Sequence, residues 1–264
     1  MATITGTSGS DRLIGTQGSD RIFGLGGDDR ILADLIPVDD LGGDDEVDAG
    51  PGNDQVYAFG GDNVIYGRQG RDVLVSADGD DFIDGGADAD DVQSGRGRDR
   101  VLGGDGNDLL RGGEGNDRLE GGLGNDRIVG GSDDDTLLGG TGNDILEGRD
   151  GRDVQTGGGG SDRFKLLAAA ESPPGAGRDV ILDMTPSDLL DLSAIDPSPL
   201  SGNQSFIWLG QAVGGGALPQ GCLRALDQGT TVIVQGNSDA DPMIDFAIEL
   251  RNFAAVLAAD DFVL

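Results

Sequence analysis

Aspartate recurs every nine residues along most of this chain, with one break in register. The series is Asp11, Asp20 and Asp29, then Asp45, Asp54, Asp72, Asp81, Asp90, Asp99, Asp108, Asp117, Asp126, Asp135, Asp144, Asp153 and Asp162, interrupted only by Asn63. Each closes a glycine-rich hexapeptide. The clearest begin Gly103-Gly104-Asp105-Gly106, Gly112-Gly113-Glu114-Gly115, Gly121-Gly122-Leu123-Gly124 and Gly139-Gly140-Thr141-Gly142, and they end at Asp108, Asp117, Asp126 and Asp144. Glycine allows positive φ and tight bends, and it has no side chain to keep a ligand from the backbone. Bends of this kind turn carbonyl oxygens inward, and the aspartate adds a carboxylate. An all-oxygen donor set suits a hard cation, and its loose geometry favours Ca²⁺ over Mg²⁺. The aspartates, the glycines just named and Asp105 are therefore the candidate metal ligands. A flexible Gly/Asp linker would share this composition but not its fixed register.

Three residues, x-U-x with U large and apolar, follow each aspartate. They read as a short strand in which U points inward and its neighbours outward, because side chains alternate along a strand. The first six residues of each unit are expected to be loop. Two units make an 18-residue coil with a strand on each side, and stacked coils give two parallel sheets with the U residues between them. The fold expected is thus an all-β parallel β-roll over residues 1–165, with an insertion at 33–39. U is apolar from Leu13 to Phe164 except at Gln155, which predicts a weaker coil, and Asp88 and Asp133 replace the fourth-position glycine. Residues 166–264 lose the repeat and read as a small, mostly β cap, with strand-like runs at Asp179–Met184, Leu189–Ile195, Ser205–Leu209, Thr230–Gln235, Ile244–Leu250 and Phe262–Leu264, and a helical turn at Ala254–Ala259.

Many residues flanking U are arginine, among them Arg12, Arg21, Arg30, Arg100, Arg118, Arg127 and Arg163, which suits a solvated, charge-compensated face. Tyr57, Val64, Tyr66, Val73, Val75 and Phe82 also fall at outward positions, with Phe59 in a neighbouring loop. They are either a sticky zone for a partner or ordinary β-sheet residues.

A net charge of −31 opposes binding to nucleic acid and to anionic membranes. It also opposes compaction unless cations are bound, and on the order of ten Ca²⁺ would neutralise most of it. Histidine is absent, which excludes His-based zinc sites and His-dependent triads. The single cysteine, Cys222, cannot form an internal disulfide. No apolar run reaches the ~18 residues of a membrane-spanning helix. The opening MATITGTSGSDRLIG has no basic or apolar signal region, so no cleaved signal peptide is expected.

On these motifs the first two-thirds of the chain resembles the RTX, or haemolysin-type, calcium-binding β-roll. The remainder is similar to the C-terminal domain of serralysin-type secreted proteases, at Phe164-Lys-Leu, Asp188–Ile195, Asp245–Leu250 and the ending Asp261-Phe262-Val263-Leu264. The resemblance implies that each Ca²⁺ lies between a loop and the one two repeats on, so that Asp108 would share an ion with Asp126, Asp117 with Asp135, and Asp126 with Asp144. It also implies recognition of the C-terminus by a type I secretion exporter, and an extracellular location. Serralysins carry a zinc protease domain ahead of the roll and alginate epimerases a catalytic domain. Here repeats begin at residue 6, so those activities are not expected to transfer. The expectation is a secreted, non-enzymatic calcium-binding protein that folds on binding its ions after export. The alternative is a matrix, polysaccharide or cell-surface interaction module. An enzyme accessory or a pore-forming protein fits less well.

Overall fold

A computed structural model of the 264-residue chain describes residues 1–34, 42–195, 206–212, 218–239, 243–253 and 256–264. The fold is all-β, built as a parallel solenoid with mixed strands toward the C-terminus. It divides into two compact units, Met1–Gly131 and Ser132–Leu264.

In the first unit, successive strands alternate between two parallel sheets. One pairs Thr3–Thr5, Arg21–Phe23, Glu46–Pro51, Val64–Gln69, Phe82–Ala87, Arg100–Asp105 and Arg118–Leu123. The other pairs Arg12–Ile14, Arg30–Leu32, Gln55–Tyr57, Val73–Val75, Asp91–Arg96 and Leu109–Glu114. Register follows the 18-residue coil: Val101 lies opposite Ile83 on one side and Leu119 on the other. The U residues form the core, with Ile22, Val47, Ile65, Ile83, Val101 and Leu119 fully buried. Each such side chain contributes roughly 1.5–3 kcal/mol on leaving water. Pairs such as Ile22 with Val47 and Ile31 with Val56 keep register across the break, so the extra residues leave the stacking intact. Residues 35–39 of the insertion lie outside the described residues; Ala33 and Asp34 are buried.

One expectation needs correction. Several strands run six residues instead of three and take in the first half of the next unit, as Arg100–Asp105 takes in Gly103-Gly104-Asp105. Pairing skips Gly103 and resumes with Gly104 opposite Gly86 and Gly122. These longer strands bend at the same place, so their glycine segments still satisfy one another's backbone groups across parallel neighbours.

In the second unit, Thr136–Thr141 pairs with Val154–Gly159, and Ile145–Asp150 with Arg163–Lys165. The winding continues beyond Lys165. Val180–Ile181 lies parallel on Val154–Gln155, and Leu189–Asp191 on Arg163–Lys165. Phe246–Arg251, Thr231–Asn237, Cys222–Asp227 and Ile207–Ala212 then extend the first of these sheets. Phe262–Val263 closes the second against Leu190–Asp191. Cys222–Asp227 is a strand the sequence reading missed, since Cys-Leu-Arg-Ala-Leu-Asp alternates poorly. The helical turn expected at Ala254–Ala259 is replaced, among the described residues, by a 3₁₀ turn at Ala259–Asp261. Ser205, Ala254 and Ala255 lie outside the described residues. Gln155 occupies a core position at 5% exposure, and its Oε1 has no hydrogen-bond partner.

Candidate metal centres

The sixth-position aspartates form ladders along the edges of the coils. In each rung a carboxylate Oδ1 accepts the backbone N–H of the aspartate one coil earlier. Asp11 donates to Asp29 (2.8 Å), Asp54 to Asp72 (2.7 Å), Asp72 to Asp90 (2.8 Å) and Asp90 to Asp108 (2.8 Å). Asp81 donates to Asp99 (2.9 Å), Asp99 to Asp117 (2.9 Å) and Asp108 to Asp126 (2.8 Å). In the second unit Asp135 donates to Asp153 and Asp144 to Asp162, both at 2.9 Å. Across the insertion, Asp20 reaches Asp45 and Asp29 reaches Asp54, both at 2.7 Å. Asp108 and Asp126, expected to share an ion, are adjacent in this ladder. The pairings of Asp117 with Asp135 and of Asp126 with Asp144 each take one residue from either unit.

The second oxygen is a different matter. Oδ2 of Asp29, Asp45, Asp54, Asp72, Asp90, Asp99, Asp108, Asp153 and Asp162 is buried and accepts no hydrogen bond. An ionised oxygen taken out of water without a partner is costly, so these carboxyls are pushed toward their neutral form. Burial, helped by neighbouring carboxylates, raises Asp72 and Asp153 to about 8, Asp45 and Asp90 to about 7, and Asp54 and Asp162 to about 6. Burial likewise raises Asp29, Asp99 and Asp108.

The loop glycines make room for this arrangement. A Cβ at Gly103 would lie 2.5 Å from Asp108 Oδ2 and 2.6 Å from the Gly121 carbonyl oxygen. Gly112, Gly139 and Gly157 are in the same position relative to Asp117, Asp144 and Asp162. At Gly104, φ is +109°, and a Cβ there would strike the Gly86 carbonyl. Gly106, Gly115, Gly124 and Gly142 belong to the same close backbone stacking: a Cβ at Gly106, Gly115 or Gly124 would strike a carbonyl 18 residues earlier, and Gly142 stands under Gly160. Gly113, Gly122 and Gly140 share the positive φ of Gly104, and Gly121 supplies the carbonyl facing Gly103. Asp88 and Asp133 take the left-handed backbone of the glycine they replace, each at φ +77°. Asp105 is exposed and stands outside the ladders. Among the described residues no three carboxylates converge on one point. A cation here would need main-chain oxygens beside one or two carboxylates, which is the donor set of a Ca²⁺ loop.

Three groups of residues escaped the sequence reading. Asp179 and Asp188 continue the ladders past Lys165, accepting the N–H groups of Asp153 (3.0 Å) and Asp162 (2.8 Å). Their signal was present: each is followed by an x-U pair, and they are nine residues apart. A second, exposed ladder runs through fifth-position residues, with Asp62 N–H donating to Asp44, Asp80 to Asp62 and Asn125 to Asn107. Threonines cap some terminal loops. Thr7 gives both its N–H (2.6 Å) and hydroxyl (2.9 Å) to Asp11 Oδ2, Thr16 does the same for Asp20, and Thr185 for Asp188. Burial pushes Asp20 up, but the bonds from Ala2 and Thr16 outweigh it and leave this carboxyl below its usual value.

Stacked coils with carboxylate ladders and oxygen-lined glycine bends define a cation-binding β-solenoid. The RTX calcium-binding nonapeptide repeat matches residues 5–35, 40–74, 66–101, 93–128, 102–137 and 129–164, and the chain belongs to that family. No curated protein matches it. Among solved structures, it is similar to the AlgE6R3 subunit of the Azotobacter vinelandii mannuronan C5-epimerase, at 31% identity over 59% of this chain and 78% of that one, with a TM-score of 0.38. The AlgE6R2 subunit of the same enzyme is 29% identical over 60% of this chain and 88% of its own, with a TM-score of 0.33.

Proposed function

We propose that this chain is a secreted, non-enzymatic protein whose roll folds on binding several Ca²⁺ ions, on the order of ten. The supporting observation is the set of buried, partnerless Oδ2 atoms. Asp29, Asp45, Asp54, Asp72, Asp90, Asp99, Asp108, Asp153 and Asp162 would hold the ions together with loop carbonyls, and Asp117, Asp126, Asp135 and Asp144 occupy the same place in the repeat. Asp81 and the terminal Asp11 and Asp20, also sixth-position residues, have Oδ2 satisfied within the chain. When bound, the metal supplies the positive charge that these carboxylates lack. Burying an uncompensated ion costs several kcal/mol, so the closed coils are unfavourable without metal and favourable with it.

Extracellular calcium modules work at roughly 10⁻⁴–10⁻³ M, well above intracellular levels. On this reading the chain stays open inside the cell, leaves through a type I exporter that reads its C-terminus, and winds up outside. Phe262–Val263 is tied into a sheet in the folded protein, so exporter recognition belongs to the open chain. Circular dichroism tests the reading: millimolar Ca²⁺ should produce a strong β signal and chelator should abolish it. An equally strong signal in chelator would refute it.

A second reading, a polysaccharide or cell-surface module, draws on one surface feature. Arg68 stacks over Tyr66 at 4.5 Å beside a hollow of about 520 Å³ lined by Phe23, Leu25, Asp48 and Gln69. The outward apolar residues do not form one zone, however. Val64, Tyr66 and Phe82 lie on one sheet and Tyr57, Val73 and Val75 on the other, because consecutive units alternate between sheets. A glycan array on the calcium-loaded protein separates the two readings.

A further inference from the structure

Between Asn63 and Asp81, one coil apart on the same edge, the arrangement differs from every neighbouring rung described above. Asn63 Oδ1 accepts the Asp45 N–H at 3.0 Å and so keeps the carboxylate's place in the ladder. That bond fixes the amide orientation, because a backbone N–H needs an acceptor. The other arm of Asn63 is therefore a donor. Its Nδ2 bonds the Gly61 carbonyl at 2.9 Å and reaches the Gly60 carbonyl at 3.4 Å and Ser76 Oγ at 3.5 Å. Ser76 in turn donates its hydroxyl to Asp81 Oδ2 at 2.5 Å. Asn63 and Asp81 are 1% and 2% exposed.

We propose that the Asn63–Ser76–Asp81 bridge takes the place of one calcium ion, making a built-in, metal-independent joint inside the first unit. The amide hydrogens of Asn63 face loop carbonyls that would otherwise face a cation, and the serine hydroxyl satisfies the carboxylate oxygen that such a cation would neutralise. Serine at the first loop position is not sufficient alone. Ser94 directs its hydroxyl to the Gly112 carbonyl at 3.1 Å and only helps hold Asp99 down from nearby, so that Asp99 Oδ2 accepts no hydrogen bond from it. The joint needs both the amide and the hydroxyl. At this rung hydrogen bonds do the work that a cation would otherwise do, and the rung does not depend on external calcium.

The inference rests on the calcium-binding reading, and one experiment separates their failures. Native mass spectrometry in Ca²⁺ alone counts the ions held by the folded population of the full chain, so partial misfolding of a variant does not blur the count. Asn63→Asp with Ser76→Gly restores the repeat pattern and should bind one more ion per chain than the unaltered protein. Ser76→Gly alone, which keeps the Asn63 amide, should not add one. If the unaltered protein binds ions and the double variant binds the same number, the joint is refuted while the calcium reading stands. If the unaltered protein binds none, the calcium reading itself fails.

Discussion

A loop residue in this roll is constrained by the coil behind it as much as by its own backbone. Gly104 shows why: its φ of +109° disfavours any side chain, and the Gly86 carbonyl fills the space a Cβ would take. Gly159, in a corresponding stretch, has nothing within 4 Å of a built Cβ. Gly104→Ala should therefore cost several kcal/mol, by strain and by pushing two coils apart, whereas Gly159→Ala should be within about 0.5 kcal/mol of neutral. Urea unfolding in saturating Ca²⁺ measures both, and equal losses would contradict the carbonyl-contact argument. At this scale the sequence was largely legible. The inward U residues and the sixth-position aspartates are where their spacing puts them. What spacing could not convey is how the second carboxylate oxygen is treated. Thr7, Thr16 and Ser76 decide that from the first two loop positions, which are glycine in the clearest repeats, and their hydrogen bonds depend on the rotamers that stacking selects.

Coils, not single strands, are the cooperative element, since each aspartate ties two of them together. The raised carboxyls make a metal-free coil sensitive to protons. Their ordinary value is 3.8, and in the folded coil several move to between about 6 and about 8. The folded state therefore holds extra protons across that interval. These groups cost nothing below about pH 4, and stability is lost as pH rises through the folded values. In chelator the roll should be more ordered near pH 5 than near pH 8. Calcium competes with the same protons, so its apparent affinity should increase over that interval. Circular dichroism in chelator and calcium titrations at both pH values test the two halves, and a chelated chain more ordered at pH 8 would contradict the first. The coil beyond Lys165 was missed because Asp179 and Asp188 follow their predecessors by 26 residues instead of 18. Eight extra residues erase the period but not the pairing, which depends on where a strand lands and not on how long its connection is.

For the whole molecule, charge is the governing quantity. The formal charge of −31 would be cut by about two-thirds by on the order of ten divalent ions. Part of that charge is on exposed carboxylates, which simple salt can screen over a Debye length of ~3 Å at 1 M. The buried Oδ2 atoms are beyond its reach. Sodium chloride at ~1 M in chelator should therefore fail to restore the β signal that millimolar calcium restores, and full restoration would show that diffuse repulsion, not unmet coordination, keeps the chain open. The ladders also have a direction. In the sixth-position rungs a later residue's side-chain oxygen receives an amide hydrogen from an earlier coil, whereas in the fifth-position rungs an earlier residue's oxygen receives one from a later coil. The two faces of a coil thus differ in which position donates: toward the next coil the sixth position offers an amide hydrogen and the fifth an oxygen, and toward the previous coil the roles are exchanged. A further coil of this kind added head to tail meets an acceptor for its donor at one position and a donor for its acceptor at the other, so both ladders are extended together.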